Sequence, residues 1–315
     1  MTSILTVTLN PALDIFVPVN QFGNGTDIKV VAGGKGVNVS RALNKFVLLQ
    51  KLFKRLQVCA TGLTGGISGD NLKCLLDFEK IKHDFFCING STRENLTFFD
   101  SSGSSTRIIE PGPFINQEEW CSFLKHYSCL VKNFSWSIIS GRIANGLDNK
   151  VCTKLINIAH QNKCLCFLDT SGLPLIEGLK ARPEFIKPNH EEAQEVLGYS
   201  ISSYPRIKKA VLEFSRMGAG NVFISRGLDG VIAFNGADIF EITAQIKLKP
   251  INDVGCGDSF VGGFIGAYST GISFLESLRL GVAFGMANMK ERVPGGVDIE
   301  FVKRIVKKVK IRKLI

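Results

Sequence analysis

Short, unbroken apolar runs alternate along the chain with longer segments whose apolar residues recur every three or four positions. The runs ILTVTL (4–9), LQVCATG (56–62), SWSIIS (135–140), CLCFLD (164–169), EFIKP (184–188), NVFISR (221–226) and GVIAF (230–234) have strand length and are rich in β-branched and aromatic residues. Between them, NVSRALNKFVLLQKLF, EEWCSFLKHYSCLVKNF, NKVCTKLINIAHQ and EEAQEVLG carry the helical spacing. This alternation predicts an α/β fold on a mostly parallel sheet, and strands as continuously apolar as CLCFL predict a sheet covered on both faces. Residues 14–31 and 90–112 break the rhythm. They read as short strands without a helix, NLTFFD and TRIIEP among them, and are expected to pair as a small β flap over the C-terminal edge of the sheet. From about residue 256 the pattern is helical, over 258–269, 274–290 and 298–311, and a long helix is expected around FVLLQKLFKRLQ (46–57). No Pro/Ser-rich linker, low-complexity tract or repeat divides residues 1–315, which read as one unit.

Composition narrows the class. Of 315 residues, 45% are hydrophobic and 21% charged, as in an ordinary globular protein. No apolar run approaches the roughly 20 residues of a spanning helix, so no membrane association is expected. The opening MTSILTVTLNPAL lacks a basic region and reads as a strand rather than a signal peptide. The nine cysteines are irregularly spaced, and Cys164 and Cys166 form no CxxC pair, which points to reduced thiols and a cytoplasmic location. The net charge of +10 is concentrated. KRIVKKVKIRKLI (303–315) holds seven Lys or Arg and no acid, so the rest of the chain carries only +3. That tail is expected to be an amphipathic helix with a solvated basic face; a polyanion- or membrane-binding tail is the alternative. No nucleic-acid-binding signature accompanies it.

Two glycine-rich stretches open helices: VVAGGKGVNVSRAL (30–43) and DVGCGDSFVGGF (253–264). Neither is a phosphate-binding GxxxxGK[ST] loop, because Lys35 is followed by Gly36. Neither is a dinucleotide fingerprint, because Phe260 stands where a third glycine is required. Both still bring backbone N–H groups to a helix N-terminus, where anions bind. Together with TLNPALD (8–14), KPNHEE (187–192) and SRGLDG (225–230), in this order, they resemble the ribokinase-like superfamily of small-molecule kinases. The similarity is to its phosphofructokinase B branch of 1-phosphofructokinase and tagatose-6-phosphate kinase type, and it spans essentially the whole chain.

The resemblance implies a three-layer α/β fold with a mostly parallel central sheet and a small β-sheet lid, formed by about 14–31 and 90–112. It also implies use of ATP and Mg2+. It assigns Asp258 as the base that takes the proton of the attacking hydroxyl, with Gly255, Cys256 and Gly257 as the anion hole, although Cys256 replaces the branch's usual alanine. Asp14 and Asn38 would bind sugar hydroxyls; Gly33, Gly34 and Gly36 would let substrate approach the backbone. Lys35 would meet the substrate phosphate or the developing charge. Arg93 matches the branch's phosphate-binding arginine, and Arg107, on the second flap strand, can reach the same site. Lys187 would approach the ATP phosphates. Asn189 and Glu192 would position magnesium, Glu192 indirectly, while Ser225, Gly227 and Gly230 would line the nucleotide. One loop departs from the pattern: SGRIANG (140–146) stands where the branch has SGSLPxG. Arg142 there can strengthen phosphate binding, shift the preferred isomer, or obstruct the site.

The resulting expectation is an ATP-dependent kinase of a ketohexose monophosphate. Fructose 1-phosphate going to fructose 1,6-bisphosphate comes first, then tagatose 6-phosphate and fructose 6-phosphate. A non-catalytic phosphosugar sensor is the alternative from another class. The resemblance further suggests a homodimer through the lid.

Overall fold

The computed structural model describes residues 2–19, 28–50, 56–99, 105–244, 246, 248, 251 and 254–314. In chain order the elements are β1 (Thr2–Thr8), β2 (Ala12–Pro18), β3 (Lys29–Gly33), α1 (Lys35–Gln50), β4 (Leu56–Thr64), α2 (Gly66–Phe78), β5 (Phe86–Cys87), β6 (Arg93–Phe99), β7 (Ser105–Ile109), α3 (Gln117–Val131), β8 (Trp136–Ser140), α4 (Val151–Gln161), β9 (Leu165–Asp169), α5 (Gly172–Leu179), β10 (Phe185–Ile186), α6 (His190–Leu197), α7 (Tyr204–Met217), β11 (Asn221–Ser225), β12 (Val231–Phe234), β13 (Ile239–Ala244), α8 (Cys256–Tyr268), α9 (Phe274–Asn288), α10 (Ile299–Ile305) and β14 (Val309–Lys313).

Among the described residues these strands form two sheets. The larger runs β14-β13-β12-β11-β10-β9-β8-β1-β4-β5, and the smaller runs β3-β2-β6-β7. The large sheet is parallel from β5 to β11 and antiparallel from β11 to β14. Strand alternation divides its side chains between two cores. Leu5, Val7, Cys166 and Leu168 face α3, α4, α5 and α7, whereas Ile4, Phe167, Phe185 and Phe223 face α1, α8 and α9. That is why the strands are apolar at every position: both faces are covered.

Helix α8 is buried from Asp258 through Ala267. A Cβ on Gly262 would come within 2.6 Å of the Ala42 Cβ, and one on Gly263 would meet the Phe284 ring carbon at the same distance. The glycines let α8 wedge between α1 and α9, while Phe264 packs edge-on against Phe223 with ring centroids 4.7 Å apart. The start of α8 is thereby fixed at the C-terminal edge of the parallel strands, where ligands bind in open α/β sheets.

The lid strands pair as expected. β2 lies parallel to β6 in the register Asp14↔Asn95, with β3 and β7 antiparallel on the flanks. Residues 20–27 and 100–104 of the expected lid segments lie outside the described residues. No helix among the described residues is long and apolar enough to cross a membrane.

Two expectations are corrected. Of the helix expected around 46–57, α1 holds the residues to Gln50, residues 51–55 lie outside the described residues, and Leu56 and Gln57 belong instead to β4, paired to β1. The basic tail is not one helix. α10 stops at Ile305, one 3-10 turn follows, and VKIRK forms an edge strand on β13. The cause is a period of two: Val309 is buried and Ile311 packs on the same core, whereas Lys310, Arg312 and Lys313 are exposed. Arg312 bonds Glu241 at 2.6 Å and Lys313 pairs with Asp238 at 2.8 Å. Cations along an open edge discourage pairing with another chain.

Truncation after Lys308 should therefore destabilise the whole sheet rather than remove a passive appendage. The lost burial of Val309 and Ile311 alone predicts a drop of roughly 2–4 kcal/mol in chemical denaturation. An unchanged denaturation midpoint would show that β14 contributes nothing.

Candidate functional site

The C-terminal ends of β1 and β11, the segments that follow β8 and β10, the first turns of α1 and α8, and the inner face of the lid enclose one cleft of about 940 Å³. Its walls bring together the residues singled out from the sequence. The lid side holds Asp14, Arg93 and Arg107 with Arg142 near Arg93, the floor Gly34, Lys35, Asn38 and Gly255–Asp258, and the far side Lys187, Asn189, Glu192, Ser225, Gly227 and Gly230. Gly33 and Gly36 serve otherwise. A Cβ on Gly33 would sit 2.2 Å from Asp14 Oδ2, and one on Gly36 would sit 2.3 Å from Thr8 Oγ1, so both are packing glycines.

The floor is built on the N-terminus of α8. Gly255 is its N-cap at φ +84°, with no side-chain cap, and a Cβ there would lie 2.7 Å from the Gly295 nitrogen. The first-turn N–H groups have no carbonyl within the helix to bond, and the helix dipole makes this end positive. Asp258, in that first turn, is 5% exposed. Burial raises its pKa to about 6 against the opposing pull of Lys35, with Asp169 pushing the same way as burial. Asn38 Nδ2 donates to Asp258 Oδ2 at 2.8 Å, which leaves Oδ1 as the second acceptor.

Next to Asp258 lies a carboxylate that the sequence reading did not single out. Asp169 is fully buried at the end of β9. Lys187 Nζ lies 3.3 Å and Lys35 Nζ 3.6 Å from its Oδ1, ion-pair distances without hydrogen-bond alignment. Burial pushes the Asp169 carboxyl up, but the two lysines outweigh it and hold the group below the usual carboxylate range. Asp169, with Asp258 and Glu192 behind it, raises the pKa of Lys35 against burial. The signal available in the sequence was positional: CLCFLD ends in an acid at the carboxyl end of a central strand.

Asn189 and Glu192 form the capping box of α6. The Asn189 side chain accepts the Glu192 N–H at 2.7 Å, and Glu192 Oε2 accepts the Asn189 N–H at 2.8 Å. Glu192 Oε1 lies 3.7 Å from Lys35 Nζ. Lys187 is buried, and a Cβ on Gly257 would approach its Nζ to 3.0 Å, which places the ammonium directly under the α8 first turn. Gly227 stands open, whereas Gly230 turns the chain from β11 into β12 where a Cβ would strike the Ile242 carbonyl at 2.0 Å. Val282, Met286 and Met289 add an apolar shelf beside this turn.

At the lid end, Asn95 Nδ2 donates to Asp14 Oδ1 at 2.8 Å. Burial raises the Asp14 pKa although Arg93, Arg41 and Arg107 pull it down. Arg93 is fixed by two backbone carbonyls, Glu110 O at 2.9 Å and Asn10 O at 3.0 Å, while its buried Nε has no partner. Burial lowers the Arg93 pKa, and the like charge of Arg142 adds to that, so these guanidiniums face the same space. Asp14 and Glu110 offset part of this positive charge, and planar guanidiniums facing one cleft suit a further anion such as phosphate.

Residues 4–296 match the pfkB family carbohydrate kinase model. The chain is 31% identical to a tagatose-6-phosphate kinase of Staphylococcus epidermidis over 98% of this chain and 99% of that one. It is 32% identical to a 1-phosphofructokinase of Bacillus subtilis over 99% and 100%. The tetrameric inhibited form of phosphofructokinase-2 from Escherichia coli superposes with a TM-score of 0.86 at 25% identity, covering 98% of this chain and 99% of that chain.

Asp169→Asn should leave the buried Lys187 without its counter-ion and lower the unfolding free energy by about 3 kcal/mol near neutral pH. Because the folded pKa of Asp169 is depressed, its contribution is complete above about pH 4 and is lost as pH falls through the folded value. The gap between wild type and variant in urea denaturation should therefore be constant at neutral pH and close in acid. A gap that persists undiminished at acid pH would refute the ion-pair account.

Proposed function

The chain belongs to the pfkB family of carbohydrate kinases, and on that premise we propose that it transfers the γ-phosphoryl group of ATP to a primary hydroxyl of a ketohexose monophosphate. Fructose 1-phosphate, giving fructose 1,6-bisphosphate, is the first choice; tagatose 6-phosphate is the close second. The observation that carries this reading is one cleft with Asp258 on a helix start without a side-chain cap at one end and Arg93, Arg107 and Arg142 at the other. The arginines offer planar forks for a phosphate the substrate already bears.

In this reading Asp14 and Asn38 orient the sugar hydroxyls. Asp258 Oδ1 accepts the hydroxyl proton; the sugar oxygen forms the new P–O bond as the bond to the ADP oxygen breaks. A pKa of about 6 keeps Asp258 ionised at neutral pH yet basic enough to share the proton. The α8 first turn, with Gly255, Cys256 and Gly257, cradles the oxygens of the transferring group, and Lys35 and Lys187 balance its charge. Ser225, Gly227, Gly230 and the apolar shelf of α9 receive the nucleotide. Glu192 and Asp169 are already engaged by lysines, a donor set that suits a hydrated Mg2+ held through water and nucleotide phosphates rather than a direct cage. Bound there, magnesium supplies charge neutralisation on the nucleotide phosphates.

The exposed apolar residues Ile28, Val30, Ile108 and Ile109 on the lid support a homodimer formed through it. All nine cysteines are free, which fits a reducing cytoplasm. Residues 1–315 act in this reading as one kinase unit with its lid.

Purified protein with ATP and magnesium should release ADP with one ketohexose phosphate and not with free fructose. A panel of phosphosugars that bind without turnover would put a sensor in place of a kinase. Asp258→Asn should lower kcat by roughly 10²–10⁴-fold while substrate still binds. In the wild type, kcat/KM should rise with pH through about 6, because the base works ionised. Near-normal activity of the variant would remove Asp258 from the base's role.

Arg142→Ser restores the residue usual in the branch. Loss of one charge-assisted contact, about 1.5–3 kcal/mol, should raise KM for the phosphosugar roughly 10–100-fold with kcat little changed. An unchanged KM across the panel would show that Arg142 does not touch substrate.

A further inference from the structure

We propose that Arg41 is a positioning residue that fixes, from behind the cleft, both the amide facing Asp258 and the turn supporting the glycine loop at the start of α8. This rests on the reading of Asp258 as the base. Arg41 lies in α1, one turn beyond Asn38, and is 5% exposed. A guanidinium has five N–H donors and no acceptor, and here each is used. Nε and Nη2 grip the Glu79 carboxylate at the end of α2, the latter at 2.8 Å. Nη2 also donates to the Ala32 carbonyl at 2.7 Å. Nη1 donates to the Pro294 carbonyl at 2.6 Å and to Asn38 Oδ1 at 3.2 Å.

Two consequences follow from the donor-only character of the fork. The Asn38 amide has an accepting and a donating end, and Arg41 can face only the accepting one. Nδ2 is thereby forced toward the Asp258 carboxylate, where it donates at 2.8 Å. Without Arg41 the amide is free to turn over. The bond to Pro294 works on the other half of the floor. The Pro294–Gly295 turn is the surface on which Gly255 rests, and a Cβ on Gly295 would collide with the Asn38 carbonyl at 2.4 Å. One buried cation thus joins α1, β3, α2 and the 294–295 turn beneath Asp258 and the phosphoryl cradle. Glu79, partly exposed, neutralises that cation from outside. Lysine does not substitute: its three donors radiate from one nitrogen and cannot form the planar fork.

The charged groups facing Asp258 from neighbouring elements are Lys35 at the start of α1, Asp169 at the end of β9 and Lys187 after β10. Arg41→Lys changes none of them, so a shift in Asp258 titration reports the amide. The Asn38 hydrogen bond favours the ionised carboxylate. Its loss should move the Asp258 midpoint upward by roughly 0.5–1 pH unit, read by carbon-13 NMR of the carboxyl and by the acid limb of kcat/KM. Glu79→Gln, which loosens the fork from outside, should shift it in the same direction. A folded Arg41→Lys protein with an unmoved midpoint, losing only thermal stability, would overturn the proposal. Wild-type protein gives an arm independent of mutant folding: the Asn38 side-chain amide protons, followed by nitrogen-15 NMR, should titrate with the Asp258 midpoint. Amide protons blind to that titration would overturn it as well. If wild-type protein turns over no phosphosugar, the kinase reading fails, while both NMR arms still decide the role of Arg41.

Discussion

The cleft depends on one buried carboxylate drawing two lysines from separate chain segments to the same oxygen. Asp169 ends β9; Lys35 opens α1 and Lys187 follows β10. An unpaired ammonium as deeply buried as that of Lys187 would be prohibitive, so the pairing is a condition of folding as well as a feature of the site. Since both cations converge on Asp169, their positions beneath α8 are set before any ligand arrives. Charge placed in advance needs no rearrangement during reaction, and that is where electrostatic catalysis gains most.

The division of labour between rigid floor and lid follows from how each is built. The floor is anchored by a helix buried on all sides, with glycines in contact with α1 and α9. The lid is a four-stranded sheet whose central pair, β2 and β6, places Asp14 beside Asn95 and Arg93 beside the cleft mouth. Asp258 and the first turn of α8 therefore sit on the floor, whereas Arg93 and Arg107 are carried by the lid strands β6 and β7.

Much of this was legible in the sequence. The alternating pattern gave the covered parallel sheet, and the ordered glycine-rich and strand-end motifs converge on one cleft. What escaped has physical causes. Gly33 and Gly36 looked like ligand-facing backbone, yet their missing Cβ atoms make room for Asp14 and Thr8, a distinction only packing reveals. Asn189 and Glu192 form a capping box and also line the cleft, so one spacing both starts α6 and places two polar side chains there. Asp169 and Arg41 acquire meaning from partners far along the chain. The tail was read by its charge when its alternation of Val309 and Ile311 with basic residues was the stronger signal.

That edge strand bears on how the protein is made. β13 is synthesised well before β14, its partner, and the intervening chain supplies α8, α9 and α10. Domains are built from the N-terminus during translation, so nearly the whole sheet can form on the ribosome while β13 still offers an unpaired edge. Until β14 pairs with it, β13 presents an open edge that a neighbouring nascent chain on the same message can reach.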